Sequence, residues 1–276
     1  MSARTGLGPL AVAVLAATAE VGGTSGARHR PTTRVLEILE REQGLGPRYA
    51  YPLLQDLGAP WRLHLPLLDR RGNWGSQQGD PAADARYTEV RLSRVGALAL
   101  AAERGEVGPV PLGLVEGSLY GDGPVPPFAP ARVLEALATG VADAGPPAMP
   151  TGGTVEGNIA GLLAGRRARL TLGCTVVAEP GQLVITEVPL GVPVDDLVHH
   201  LFHASQVGSA SHVGSQRRYL DYAPVDGAPV PVLQVRDESS GRHGVRVVCA
   251  VAPGADLDAA RGWIRSVWPV TVQVDC

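Results

Sequence analysis

The residues with the clearest chemical potential are Arg86 and Tyr87, side by side in the segment LLDRRGNWGSQQGDPAADARYTEVRLS (67–93). A phenol is a poor nucleophile near neutral pH because its pKa is about 10. A guanidinium beside it favours the phenolate and neutralises charge that builds up on an attacked phosphoryl group. The dipeptide therefore suits attack on a phosphodiester. It suits equally a half-buried strand tyrosine beside a surface arginine, since aromatic residues are common in strands. If residues 85–93 (ARYTEVRLS) form one strand, Arg86 and Tyr87 point to opposite faces. Arg86 would then clamp a neighbouring phosphate or act on the site of a partner protomer.

A second group of candidates is cationic or amide-bearing. All 24 basic residues are arginine, and the net charge is −3. Between Arg28 and Arg71 stand eight arginines (Arg28, Arg30, Arg34, Arg41, Arg48, Arg62, Arg70, Arg71) against five acids, with His29 and His64 among them. A locally basic stretch in an acidic chain points to an anionic partner, and an arginine fork binds phosphate bidentately. Arg30, Arg34, Arg48, His64, Arg70, Arg71 and Asn73 are the expected contacts to a nucleic-acid backbone. His199, His200 and His203 have the spacing of a metal-binding helix face, but no fourth ligand accompanies them, so no metal site is expected. Asp256 and Asp258 read as a helix cap with a surface acid, and Glu116 lies far upstream. Cys174, Cys249 and Cys276 lack metal-ligand spacing and read as reduced thiols, in keeping with a cytoplasmic protein.

The length of 276 residues admits one large domain or two smaller ones, and 45 % hydrophobic residues can form a core. The apolar residues 9–19 follow a lone Arg4 and run straight into Glu20 and a glycine turn, which favours a buried helix over a secretion signal. Helices are expected over residues 8–20, from a Thr32 or Thr33 cap to about Glu42, and over about 48–57. WRLHLPLL (61–68) then alternates as a strand does, RRGNWGSQQGD forms a hairpin-like loop, and 85–93 returns. Three helices and a hairpin follow the order of a winged helix-turn-helix. Residues 94–104 are helical in pattern, 105–130 are rich in glycine and proline, and a helix restarts at Arg132. AGPPAMPTGG (144–153) is the expected boundary between a unit at 1–145 and one at 146–276. Beyond it, strands at 167–179 and 181–191, a helix at 192–205, two further strands and a final helix suggest a mostly antiparallel α+β domain.

The segment GNWGSQQGDPAADARYTEVRLS resembles the breakage-reunion segment of the A-type chain of bacterial DNA gyrase and topoisomerase IV, the type IIA topoisomerases. There a Gly-Asn-Phe-Gly-Ser loop leads through Gly-Asp-Pro-Ala-Ala to Arg-Tyr-Thr-Glu. RPTTRVLEILE is similar to the basic helix before the family's recognition helix, and APWRLHLPLLD to the strand entering the wing. MPTGGTVEGNIAGLLAGRRARLTL, LVITEVPLGV and VRDESSGRHGVRVV are similar to pieces of its tower domain. The resemblance covers roughly residues 9–250. It implies an α+β fold, a winged helix-turn-helix domain followed by a tower-like domain, with Tyr87 as the DNA nucleophile and Arg86 as its cation. It also implies double-stranded DNA, a homodimer and a B-type partner subunit (Toprim plus ATPase) that supplies Mg²⁺ and hydrolyses ATP. The departures are an expected absence of the arm before the first helix, of the coiled-coil gate and of the β-propeller. QGLGPR (43–48) stands where the family has His-Pro-His-Gly-Asp-Ser, and Leu119 or Tyr120 replaces the isoleucine that bends DNA. A non-catalytic DNA-binding paralogue, or a stand-alone winged-helix transcription factor, is the alternative.

Overall fold

The structure is a computed structural model that describes residues 2–113, 127–139, 145–158, 161, 168–206, 231–240, 244–267 and 270–274. Glu116, Leu119, Tyr120 and Cys276 lie outside the described residues. The fold is α+β, with seven α-helices and three antiparallel sheets among the described residues.

The first helix, α1 (Pro9–Glu20), starts on a proline, which has no amide hydrogen to lose there, and buries Val14, Leu15 and Thr18. The apolar N-terminal stretch is thus a packed helix, as its flanks suggest. A two-residue strand, β1 (Arg30–Pro31), follows. Helix α2 (Thr32–Gln43) buries Val35, Leu36, Ile38 and Leu39 and stops at Gly44, whose φ of 64° is the left-handed helix end that glycine accepts. Neither threonine caps it. Pro31 occupies the cap without a side-chain bond, and Thr32 turns fully inward. Helix α3 (Pro47–Gly58) buries Ala50, Leu53, Leu54 and Leu57.

Two expectations for the hairpin are corrected. Residues 61–67 are not strand. The carbonyl of Ala59 accepts from the amides of Arg62 and Leu63 at 3.0 Å each, which forces a turn, and Pro66 has no amide to pair. The strand β2 is Leu68–Arg71, placed by the Leu67 amide bonding Leu57 O at 2.8 Å. Nor do residues 85–93 form one strand. Ala85–Tyr87 make a single 3₁₀ turn, closed by Tyr87 N–H to Asp84 O at 2.8 Å, and β3 is Glu89–Leu92. The sheet order is β1-β3-β2. Helix α4 (Arg94–Glu103) begins on a Ser93 cap that accepts from Gly96 N–H at 3.0 Å. Gly96 permits a close crossing: a Cβ there would collide with Leu67 O.

Helix α5 (Pro130–Thr139) precedes the second half. There β4 (Thr154–Gly157), β5 (Ala168–Gly173) and β10 (Val270–Val274) form a sheet in the order β10-β5-β4. Strands β4 and β10 escape a pattern-based reading because each is short and, among the described residues, pairs only with β5, which for β10 lies about a hundred residues away. The other sheet, β6-β7-β9-β8, joins β6 (Thr175–Glu179), β7 (Gln182–Glu187), β8 (Val232–Asp237) and β9 (Val247–Val251). Helices α6 (Val194–Gln206) and α7 (Leu257–Val267) cover it, with Leu183, Ile185, Leu197, Leu201, Val247 and Ile264 almost wholly buried.

Most buried side chains fall into two clusters, one between Leu7 and Leu112 and one between Cys174 and Ile264. Among the described residues, hydrogen bonds join the halves. The first two amides of α6, at Val194 and Asp195, donate to the carbonyls of Gln77 and Gln78 at 3.1 and 2.9 Å. These donors have no partner within their own helix, so the hairpin loop caps α6. His64 Nε2 lies 2.8 Å from Ala148 O.

Candidate nucleic-acid interface around Tyr87

Tyr87 is 70 % exposed, and its support is a buried polar cluster directly beneath. The next residue, Thr88, is 1 % exposed. Its Oγ1 lies 2.9 Å from Thr32 Oγ1 on α2, 3.1 Å from Ala85 O and 3.3 Å from the Tyr51 hydroxyl on α3. The Tyr51 hydroxyl donates to Ala83 O at 2.7 Å. Thr32 N–H also donates to Thr88 O at 3.1 Å. Buried hydroxyls are costly unless paired, so this network fixes the backbone on both sides of the 3₁₀ turn. On the hairpin side, Gly72 has φ of 98° and approaches the Tyr87 carbonyl so closely that an added Cβ would stand 2.8 Å from it.

The 3₁₀ turn overturns the expectation that Arg86 and Tyr87 face apart. The guanidinium carbon of Arg86 lies 5.9 Å from the Tyr87 ring centroid. Both side chains are solvent-exposed, and Arg86 pairs with Asp84 at 3.6 Å. An anion at this surface can therefore meet the phenol and the guanidinium together, in competition with the Asp84 carboxylate.

The loop leading to the turn is held by its own polar groups. Asn73 Oδ1 accepts from Gly75 N–H at 3.0 Å, and Asn73 O accepts from Ala83 N–H at 3.1 Å. Ser76 Oγ donates to Asp80 Oδ2 at 2.5 Å. Trp74 is buried, donates from Nε1 to Arg71 O at 3.0 Å, and packs its ring 5.5 Å from that of Tyr51.

The other candidates divide by what their charged groups touch. Arg34 on α2 and Arg48 on α3 are exposed. Arg71 is exposed and lies 3.4 Å from Glu89. Arg30 is exposed, with Nε donating to Gly22 O at 3.3 Å. Arg70 is half-buried; its guanidinium sits 5.2 Å from the Trp61 ring and 5.8 Å from the Trp74 ring. Burial lowers its pKa from the ordinary arginine value. Its stem crosses Gly58, where a Cβ would collide with it. Arg70 and His64 are thus occupied in packing, and Asn73 in shaping the loop. Thr32, Tyr51, Thr88 and Asp84 surround the turn; Asp84 and Thr88 are signalled only by nearness to Tyr87 in the sequence, and Thr32 and Tyr51 by nothing local.

No three histidine, cysteine or acidic side chains lie together as a metal site among the described residues. His200 Nδ1 lies 3.2 Å from Asp196 O, its own helix's carbonyl. Asp256 Oδ1 accepts from Asp258 N–H at 3.1 Å and Asp258 pairs with Arg261 at 3.0 Å, the cap and surface acid their spacing suggests. No helix among the described residues is long and apolar enough to cross a membrane.

Comparison with known proteins bears on the same segment. The family model for the A subunits of DNA gyrase and topoisomerase IV matches residues 51–107. The DNA gyrase A subunit of Granulibacter bethesdensis is 39 % identical over 93 residues, 33 % of this chain and 10 % of that protein. The DNA topoisomerase 4 A subunit of Neisseria gonorrhoeae is 38 % identical over 93 residues, 33 % of this chain and 12 % of that protein. The DNA gyrase A subunit of Aminobacterium colombiense is 28 % identical over 298 aligned positions, 92 % of this chain and 34 % of that protein. The chain spans between a tenth and about a third of the length of these relatives. The matched segment contains the turn that presents Arg86 and Tyr87, and over it the chain is similar to the A subunits of DNA gyrase and topoisomerase IV.

Proposed function

We propose that this chain is an A-type subunit of a type IIA DNA topoisomerase, binding duplex DNA and cutting it through Tyr87. The phenolic oxygen attacks a backbone phosphorus, the bond to the 3′ oxygen breaks, and a 5′-phosphotyrosyl linkage forms. The departing 3′ oxygen takes a proton, and the reverse attack reseals the strand. Arg86 favours the phenolate and offsets charge on the phosphoryl oxygens. The observation that carries this reading is an exposed tyrosine with a guanidinium 5.9 Å from its ring, standing on a buried hydrogen-bonded threonine.

The order α1-β1-α2-α3-β2-β3 with sheet order β1-β3-β2 supports a winged helix-turn-helix over residues 1–145, and residues 146–276 serve as the tower-like unit. A homodimer would present two tyrosines to the two strands. Near Tyr87 the carboxylates do not suit Mg²⁺: Asp84 pairs with Arg86, and Asp80 is held by Ser76. Mg²⁺ binding and ATP hydrolysis are assigned to a B-type partner, as the resemblance implies.

The test mixes the chain with a B-type topoisomerase subunit, duplex DNA and Mg²⁺, and quenches with detergent. The wild-type chain yields a covalent protein–DNA adduct; Tyr87→Phe yields none while still binding DNA. The chain with Mg²⁺ alone yields none. A wild-type chain that binds DNA but forms no adduct with the partner would instead support a non-catalytic paralogue, a reading that the Asp84–Arg86 pair favours.

A further inference from the structure

The loop 73–84 touches the second half at its tip and the tyrosine turn at its end, and its own bonds tie the two together. At the tip, Gln77 O and Gln78 O accept the first two amides of α6 at 3.1 and 2.9 Å. This approach depends on Gly79. Its φ of 116° is a backbone shape that L side chains rarely adopt, and an added Cβ would stand 3.4 Å from Pro193 Cβ and 3.5 Å from Asp195 Cβ. Below the tip the two limbs are clasped. Ser76 Oγ donates to Asp80 Oδ2 at 2.5 Å and accepts from Asp80 N–H at 3.3 Å. Ser76 N–H donates to Asp80 O at 3.3 Å, and Trp74 and Ala82 form an antiparallel bridge. The returning limb then enters the support of Tyr87. Ala83 N–H donates to Asn73 O at 3.1 Å, Ala83 O accepts from the Tyr51 hydroxyl at 2.7 Å, and Asp84 O closes the 3₁₀ turn. The start of α6 is also approached from α3: Arg62, paired with Asp56 at 3.3 Å, lies so close to Gly191 that a Cβ there would stand 2.7 Å from its guanidinium.

We infer that loop 73–84 is a strut that sets Tyr87 from the start of α6, with Ser76, Gly79 and Asp80 as positioning residues. The phenol is held in place while the loop caps α6, and loosens when the two part. Chains of hydrogen bonds between rigid elements carry a displacement from one end to the other. The cap itself is light. It is made by backbone groups between two halves that each have their own buried cluster, so it can open without unfolding either core. The strut therefore lets the second half govern how firmly the tyrosine is presented. Its consequence for strand cutting rests on the reading of Tyr87 as a DNA nucleophile; the coupling from α6 to the turn stands apart from that reading.

The test compares the full chain with Gly79→Ala, Ser76→Ala and Ser76→Thr. Gly181→Ala is the control: Gly181 also has a positive φ, 73°, in the turn between β6 and β7, but nothing lies within 4 Å of its added Cβ. Two quantities are read: amide exchange over residues 84–88 by mass spectrometry, and adduct yield against duplex affinity with a B-type partner. Gly79→Ala and Ser76→Ala should speed exchange at 84–88 by about two- to tenfold, the factor that loss of one ordinary hydrogen bond gives. Adduct yield should fall by a similar factor while duplex affinity changes by less than about twofold. Ser76→Thr keeps the hydroxyl and should restore both, and Gly181→Ala should alter neither. Wild-type exchange at 84–88 in both loop variants overturns the inference, as does the same acceleration in Gly181→Ala. Faster exchange there with a wild-type adduct yield overturns the positioning role. The two claims separate cleanly. Adducts in every chain with unchanged exchange remove the strut and leave the nucleophile; faster exchange in the loop variants with no adduct from any chain removes the nucleophile and leaves the strut.

Discussion

Thr88→Val isolates the polar support beneath Tyr87. Valine keeps the shape of threonine and deletes only the hydroxyl. In the wild-type chain that oxygen lies 2.9 Å from Thr32 Oγ1 and 3.3 Å from the Tyr51 hydroxyl. Thr32 is fully buried, so its hydroxyl is left without a side-chain partner when Thr88 loses its own. Tyr51 keeps its bond to Ala83 O. Leaving one buried hydroxyl unsatisfied costs about 1–3 kcal/mol. For a folding unit of the size of the first cluster, this corresponds to a fall of about 5–20 °C in its thermal transition. Thr88→Ser is the control: it keeps the hydroxyl and loses one methyl group, a cost of about 1 kcal/mol. The expected order of stability is wild type, then serine, then valine, read by calorimetry or urea denaturation. The same substitution should lower adduct yield with a B-type partner more than it lowers DNA affinity, because the phenol is less firmly presented. A Thr88→Val chain as stable as wild type would refute the claim that the network fixes the turn.

Two predictions concern the second half. Burial pushes the thiols of Cys174 and Cys249 up to about 12, so neither reacts with a thiol reagent at about pH 8 in the folded chain, and both react once denaturant opens it. Fast labelling of either without denaturant would contradict the packing of that core. Glu179 meets Arg246 through two bonds of 2.9 and 3.0 Å, which, with Gln182, lower its carboxyl to about 2 from an ordinary 4.5. A carboxylate with a lowered folded pKa stabilises the fold above its unfolded value, and that contribution is lost as pH falls from about 4.5 to about 2. Arg246→Ala should therefore flatten the decline in stability over that window while lowering stability at neutral pH. An unchanged acid profile would count against the pair.

Local order is written plainly in the sequence wherever periodicity or a proline sets an element. The apolar run after Pro9, the stripe of Val35, Leu36, Ile38 and Leu39, and the Leu53, Leu54 and Leu57 face give α1 to α3, because a helix must bury one side. Arg86 and Tyr87 are likewise marked as candidates by the resemblance their neighbours carry. What tertiary structure decides is how those two side chains are presented. A strand would send them to opposite faces; the Asp84 carbonyl closes a 3₁₀ turn instead and brings the guanidinium to the ring. Strands β1, β4 and β10 exist only because a distant partner completes their hydrogen bonds, and no local pattern announces that partner. Charge counting shows a basic stretch but does not distinguish Arg70, within 6 Å of two tryptophan rings, from Arg71, one residue on and open to solvent. That distinction follows from alternation along a paired strand, which sets one side chain inward and the next outward once the pairing is made.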